Sequence, residues 1–402
     1  MSEFRYRPLG DDDALRGAWA RSGSLAFRND PEQILEYLNR VDRDRWCRAL
    51  TDEHDTLVAT LMRTRIGMYI CGGRVSAESV GFVSVPPEHR GKRVSVALMH
   101  EHLLEAHREG SALSVLYSAR ARLYRGVGYE TAGRRNMIEV PIRSVGPRSL
   151  EGADDVRVRE ICASDLDALK SLYTSCVRGF NGALDRDEWF WAYTLGAYSK
   201  RMRPAFVFER DGQMTGYVVL VTGDHIGRKR GSELHIYDLQ FRDAPTARAI
   251  VRFLTGFTST RGTMLMPGDT SHPLFDHLDE LWHQVIGTDL WMLRIVDVER
   301  AVSERGYSPC LNGRVTVEIE DDLLEHNRGV WSIGIESGVG VARRTDERAQ
   351  LRMSSGAFAS IFTGFVSATQ LYMNARIDGE EGAVSVLDGL FAATTPWMID
   401  DF

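Results

Sequence analysis

Gly81-Phe82-Val83-Ser84-Val85-Pro86-Pro87-Glu88-His89-Arg90-Gly91-Lys92-Arg93-Val94-Ser95 is the stretch on which the reading of this chain turns. Its β-branched start predicts a strand, which Pro86-Pro87 stops. A loop of small and basic residues follows, then an amphipathic helix over Ser95–Arg108 with apolar positions at 96, 99, 103 and 106. Free N–H groups at the helix start, its dipole and the cations Arg90, Lys92 and Arg93 suit a pyrophosphate. The same residues also fit a solvated basic loop.

Upstream, the chain reads as strand Phe4–Pro8, a helix from about Asp12, a helix after Pro31, and β-rich runs Cys47–Thr51, Leu57–Arg63, Met68–Cys71 and Val75–Val85. Downstream come strand Ser114–Ser118 and Leu123-Tyr124-Arg125-Gly126-Val127-Gly128-Tyr129-Glu130. The strand-loop-helix resembles motif A of the GNAT acyltransferases, a V-x-P-x-x-R-G-x-G loop around the pyrophosphate of acetyl-CoA. The tyrosine segment is similar to the Y-x-x-x-G-[FY] signature that ends that domain. Two departures stand out: Arg93 replaces the motif's glycine, and Ser95 stands at a second small-residue position. Arg93 either crowds the pyrophosphate or faces outward and adds a cation.

Arg143–Asp155, with Pro147, Ser149 and Gly152, has the composition of a linker. Val156-Arg157-Val158-Arg159 and Asp165 then repeat the spacing of Phe4-Arg5-Tyr6-Arg7 and Asp13, offset by 152 residues. A hairpin (Ala205–Glu209, Thr215–Val221), a strand Leu234–Phe241 and a helix near Thr246–Thr255 continue this second unit. From about Leu290 a third, α+β texture begins: a helix Asp297–Arg305, β-rich runs Gly313–Ile319, Gly329–Ile335 and Val339–Arg343, and helices Ser354–Gly364, Ala368–Ala375 and Ala383–Ala393. The chain ends Asp400-Asp401-Phe402, an aromatic beside two carboxylates. With Leu290-Trp291-Met292-Leu293-Arg294-Ile295, Ala301 and Gly306-Tyr307, this organisation resembles the Eis (enhanced intracellular survival) family of N-acetyltransferases. The implied fold is α/β and α+β: a catalytic GNAT domain over 1–145, a degenerate GNAT-like domain over 146–289 and a sterol-carrier-protein-like domain over 290–402.

The resemblance implies a site residue by residue. Val83, Ser84 and Val85 would meet the pantetheine arm and thioester by backbone hydrogen bonds, as if an edge strand were added. Arg90, Gly91, Lys92, Arg93, Val94, Ser95 and Val96 would take the phosphates, with further cofactor contacts at Ala119 and Arg120. Tyr124 would be the general acid and the carboxylate of Phe402 the general base, with Asp400 and Asp401 beside it to attract a cationic acceptor and the Phe27-Arg28-Asn29-Asp30 loop lining the acceptor side. Read without the family, Tyr124 is a core tyrosine beside the Gly126/Gly128 turn, and Phe402 a hydrophobic plug that docks the tail. Acyl transfer to an amine, whose pKa is about 10, needs a base to free the nucleophile and an acid for the departing thiolate.

Composition bounds the rest. At 402 residues, 43% hydrophobic and 26% charged, the chain is ordinary globular protein of more than one domain. A net charge of −7 disfavours nucleic acid and anionic membranes as partners. The charged amino terminus has no apolar signal core, no run is long enough for a membrane helix, and five scattered cysteines suit free thiols in a reducing cytoplasm. His100, His102 and His107, and His272, His277 and His283, lack metal-ligand spacing, so no metal is expected. Gly338–Arg343 starts like a dinucleotide fingerprint but sits between strands and reads as a hairpin turn. The expected function is acetyl-CoA-dependent N-acetyltransfer to a primary amine of a cationic, aminoglycoside-like small molecule or a lysine-like side chain, by direct attack in a ternary complex, in a cytoplasmic homo-oligomer that the family implies is a hexamer. The alternatives are a non-catalytic ligand-binding protein with a disabled CoA loop, and a biosynthetic acyltransferase using another acyl-CoA or a peptide acceptor.

Overall fold

The computed structural model describes residues 4–146, 152, 154–197, 203–222, 233–257 and 262–402. Pro147 and Ser149 of the expected linker lie outside them. The chain divides into two compact units, Met1–Gly133 with Leu290–Pro396 and Asp401–Phe402, and Arg134–Asp289 with Trp397–Asp400.

The first unit opens with β1 (Arg5–Pro8), α1 (Asp13–Phe27), α2 (Pro31–Arg40), α3 (Arg43–Trp46), β2 (Cys47–Thr51), β3 (Leu57–Ile70), β4 (Gly73–Ser84), α4 (Val94–Arg108), β5 (Leu113–Tyr117), α5 (Ala121–Arg125) and the start of β6 (Glu130–Pro141). Asp12 and Asp30 cap the first two helices, accepting from Leu15 N and Glu32 N at 3.0 Å each. β3 is one long strand where two short ones were expected. Its polar middle pairs across the sheet instead of turning, Arg63 opposite Val80 and Thr64 opposite Ser79, and the Arg63 guanidinium reaches the Glu78 carboxylate.

β4 carries the feature that shapes the site. Thr60 pairs with Ser84 and Met62 with Gly81, so Phe82 and Val83 together face Leu61 in a bulge, with Phe82 at φ 54. The Phe82 ring stacks on Trp19 at 5.1 Å and lies 4.7 Å from Phe27. Gly23 leaves it room, since a Cβ there would stand 2.6 Å from the Phe82 ring. Parallel pairing of β4 with β5 covers Ala77–Val80 and Leu113–Leu116 and ends there, so the two strands part where the bulge begins.

The second unit holds the rest of β6, then β7 (Arg157–Glu160), α6 (Leu166–Val177), β8 (Leu184–Asp185), α7 (Glu188–Thr194), β9 (Ala205–Arg210), β10 (Gln213–Val221), β11 (Glu233–Phe241), α8 (Ala244–Thr255), β12 (Thr263–Gly268) and the first half of β13 (Gln284–Ile295). Its strands run β7-β9-β10-β11-β12-β6 over a core that includes Phe208, Val218, Leu239, Ile250 and Leu254.

The chain re-enters the first unit at Leu290, where Trp291–Ile295 pair with Leu113–Tyr117. α9 (Val298–Glu304), β14 (Gly313–Glu320), β15 (Gly329–Glu336), β16 (Val339–Arg344), β17 (Leu351–Ser354), α10 (Ser355–Phe362), α11 (Ala368–Met373), β18 (Ile377–Gly379) and α12 (Glu381–Phe391) follow, with strand order β16-β15-β14-β17-β18. Glu336 pairs with Val339 across Ser337 and Gly338, both at positive φ, which is the hairpin expected of that glycine-rich run. α10 is buried along its whole length, and Ser360 and Thr363 donate to Thr131 O and Ala132 O at 2.8 and 2.7 Å. The buried Arg294 and Asp321 pair at 2.6 Å. These contacts join the third stretch of chain to the first in one packed body.

Candidate active site

Where β4 leaves β5, a half-buried strand end (Gly81, Phe82, Val83) leads through Val85 and the Pro86-Pro87 corner into the basic loop. Ser84 is buried, its Oγ held by Thr60 Oγ1 at 2.6 Å and Ser22 Oγ at 2.7 Å, so only its backbone is left for a ligand. Arg90 Nε donates to Val85 O at 3.2 Å, which ties loop to strand.

The loop ends on two residues in the left-handed region, Gly91 (φ 81) and Arg93 (φ 57), and Arg93 is the N-cap of α4 without a side-chain capping bond. Among the described residues none accepts the backbone N–H of Gly91, Lys92, Arg93, Val94 or Ser95. The first inward bonds are from Val96 N and Ala97 N to Arg93 O, at 3.0 and 3.2 Å. Arg90, Gly91, Lys92 and Arg93 are exposed, Ser95 and Val96 half-buried and Val94 buried. Arg93 therefore keeps the turn a glycine would make while its side chain stays in solvent. A row of unfilled amides beneath three cations has the chemistry that suits an anion.

Tyr124 lies on α5, 9% exposed, and burial pushes its hydroxyl up to about 12. A tight turn fixes it: Val127 N and Tyr129 N both donate to Tyr124 O, at 3.0 and 3.1 Å. Gly128 (φ 84) is required here, since a Cβ would stand 2.8 Å from the Arg294 guanidinium. The Tyr129 ring meets that of Tyr124 edge-on, 6.0 Å between centroids. Glu130 braces the turn, accepting from Arg125 Nε at 2.9 Å and Arg376 Nη2 at 2.7 Å. Ala119 and Arg120 are exposed just past the end of β5.

Phe402 is brought to the parted strands. Its carboxyl carbon lies 3.2 Å from where a Cβ on Gly81 would be, and its ring is 5.3 Å from that of Tyr117. Gly81, Tyr117 and Ser118, whose Oγ is buried without a partner among the described residues, carry no mark of a site in the sequence beyond the smallness of Gly81, one residue before the bulge. Asp400 is not beside the acceptor as expected: it is buried in the second unit and bound to Arg186 Nε at 2.8 Å.

The histidines set aside as ligands have other employment. His102 Nε2 meets Ser114 Oγ at 3.1 Å, and His272 Nδ1 accepts from Leu274 N at 3.2 Å. Among the described residues no group of three or more His, Cys, Asp or Glu side chains could hold a metal ion, and no helix is long and apolar enough to cross a membrane.

Comparison with known proteins agrees with this layout. Acetyltransferase (GNAT) domain profiles match residues 5–132 and 182–295, and a sterol carrier protein domain profile matches 298–399. An uncharacterized N-acetyltransferase of Streptomyces coelicolor is 26% identical over 411 residues, covering 96% of this chain and 97% of that protein. One of Streptomyces avermitilis is 26% identical over 403 residues, 94% of each. In fold, the chain is similar to a GCN5-related N-acetyltransferase from Anabaena variabilis (TM-score 0.88, 24% identity, 99% of this chain and 100% of that one) and to Eis1 from Mycobacterium abscessus (TM-score 0.79, 21% identity, 99% and 100%). With two acetyltransferase profiles matched in tandem over more than half its length, the chain belongs to the GNAT N-acetyltransferases, with a sterol carrier protein domain behind its two acetyltransferase domains.

Proposed function

We propose that the chain is an acetyl-CoA-dependent N-acetyltransferase of the Eis type, transferring acetyl to a primary amine of a cationic small molecule or a lysine-like side chain. The first domain, 1–145, carries catalysis, the second, 146–289, is a degenerate copy, and the third, 290–402, delivers the chain terminus. The carrying observation is the Phe402 carboxyl carbon against Gly81, where β4 and β5 part.

In this reading the pantetheine arm lies along Val83, Ser84 and Val85, and its pyrophosphate takes the N–H groups from Gly91 to Ser95 beside Arg90, Lys92, Arg93 and Val96, with Ala119 and Arg120 at the rim. An ammonium acceptor loses its proton to the Phe402 carboxylate, directly or through water. The amine attacks the thioester carbonyl, the C–S bond breaks, and Tyr124 protonates the leaving thiolate. A hydroxyl held near 12 is protonated at every working pH, which an acid needs. The exposed Arg93 speaks for a working loop rather than a disabled one. The free thiols suit a reducing cytoplasm, and a homohexamer is the assembly to test by light scattering.

The test is calorimetry with acetyl-CoA followed by a thiol-release assay over polyamines, aminoglycosides and lysine peptides. Binding and turnover with one class are expected. Ligand binding without any acetyl-CoA affinity would replace this reading with sequestration, and preference for longer acyl-CoA would point to a biosynthetic acyltransferase.

A further inference from the structure

Beneath the proposed site, inside the first unit, runs a line of buried polar groups that the chemistry above does not use. Tyr129 Oη lies 2.6 Å from Ser114 Oγ, and Ser114 Oγ lies 3.1 Å from His102 Nε2. His102 Nδ1 is 3.9 Å from Glu78 Oε2, and both atoms are buried with no hydrogen-bond partner among the described residues. Glu78 and His102 are fully buried side chains on β4 and α4, the strand and helix that frame the basic loop.

Charge counting says that this line stores a proton. Arg63 on β3 binds Glu78, Glu105 (2.7 Å) and Glu109 (2.6 Å), and Arg48 on β2 binds Glu105 (2.8 Å). Three carboxylates thus share two buried guanidiniums; a third, Arg65, is half exposed and reaches Glu109 only at 3.8 Å. Tyr6 on β1 donates to Glu105 at 2.7 Å, Ser111 donates to Glu78 at 3.2 Å, and the charge of Arg294 on β13 is felt at Tyr129. Glu78 is the innermost carboxylate, so it is the one that does best by keeping a proton.

We propose that Glu78, His102 and Ser114 are positioning residues for the Tyr124–Tyr129 pair, one proton between Glu78 and His102 setting the direction of the hydrogen bonds that end on Tyr129. This rests on the reading of Tyr124 as general acid. With Glu78 ionised, His102 carries its proton on Nδ1, facing Glu78, and Nε2 accepts from Ser114. With Glu78 protonated, its O–H faces Nδ1, the single proton of His102 sits on Nε2 and is donated to Ser114 Oγ, and the Ser114 O–H is released toward Tyr129. His102, Ser114 and Tyr129 keep their proton counts; only Glu78 gains one. The energetics agree. Burial, aided by Arg63, drives His102 down to about 3, so its ring stays neutral, while burial lifts Glu78 to about 7 against the pull of Arg63.

The test is nitrogen-15 NMR of histidine-labelled full-length protein, with His102→Gln to assign the signal. A neutral ring that switches from Nδ1–H to Nε2–H as pH falls through about 7 is expected, with the switch abolished in Glu78→Gln. One tautomer across the range in the wild type, or a switch unchanged in Glu78→Gln, overturns the proposal. Should Glu78→Gln not fold, Ser114→Ala carries the same test: the midpoint moves by about half a pH unit or more, and an unmoved midpoint overturns it. In turnover, Tyr129→Phe should lower kcat about tenfold at unchanged acetyl-CoA affinity, and an unchanged kcat removes the link to Tyr124. The tautomer needs no substrate, so its failure is distinct from failure of wild-type acetyl-CoA binding.

Discussion

The two acetyltransferase domains each make the same junction, strand into long helix, and make it differently. From β4 to α4 the chain spends nine residues, Val85–Arg93, on a basic loop that leaves five successive N–H groups unfilled. From β11 to α8 it spends two, Arg242 and Asp243, and Asp243 caps the helix itself, accepting from Thr246 N at 3.0 Å and Thr246 Oγ1 at 2.8 Å. A carboxylate fills the position an incoming phosphate would need, and Arg210 Nη2, 2.8 Å away, is already spent on it. The first junction is built to be completed by an anion and the second completes itself. In the proposed reading one fold thereby supports a site and a scaffold, and the two junctions differ in loop length and one cap.

The largest effect should come from moving the terminus. Residues appended after Phe402 displace its carboxylate from Gly81, and turnover should fall about a hundredfold or more with acetyl-CoA affinity retained. An active, carboxy-terminally extended enzyme would remove Phe402 as base. Next is Tyr124→Phe, which keeps the ring packing against Tyr129 and loses the proton: kcat should drop about a hundredfold with unchanged calorimetric affinity. Equal losses in kcat and affinity would assign Tyr124 to the cofactor pocket. Because the folded pKa is raised above the ordinary value of 10.0, Tyr124 favours folding below about pH 10, and that contribution is lost as pH climbs toward about 12. Alkaline unfolding of Tyr124→Phe should accordingly be shallower over that window.

Much of this was legible beforehand. The proline stop after Val85, the cations and the apolar spacing of α4 mark the first junction without coordinates, and Asp12 and Pro31 announce their helices. Long-range contacts were not legible. Nothing in Gly81 says that a chain end rests on it, and Asp400 read as an open acidic partner because the buried Arg186 that binds it is distant in sequence. β3 reads as two runs, Leu57–Arg63 and Met68–Cys71, and only the residues across the sheet, Ser79 opposite Thr64 and Glu78 opposite Arg65, show them to be one strand. β17 and β18 pair only non-locally and were missed. Local chemistry is written in neighbouring residues, whereas pairing partners across a sheet or a chain terminus are not.

Two substitutions probe the junctions themselves. In the first, Arg90→Ala with Lys92→Ala should weaken acetyl-CoA about tenfold and flatten the salt dependence of binding, because exposed cations act through screened charge. In the second, Asp243→Ala should cost about 1 kcal/mol of stability, read as a lower Tm, and create no acetyl-CoA site, since the two-residue loop offers one cation, Arg242, and the freed N–H of Thr246 where the first junction has three cations and a longer run of unfilled amides. A second binding event in calorimetry of Asp243→Ala would show that the cap alone silences that domain.

Arg93→Gly should have the smallest effect and the most informative sign. Arg93 holds φ 57, a conformation costing a non-glycine residue about 1 kcal/mol, so glycine relieves strain and stabilises the fold by about that amount less its own chain entropy. Its side chain is exposed, so the same substitution removes one cation from the anion site and should weaken acetyl-CoA two- to threefold, a loss that fades as ionic strength rises. Stability and affinity therefore move in opposite directions. If affinity rises instead, the arginine is crowding the pyrophosphate, and the first junction has moved part of the way toward the closed state of the second.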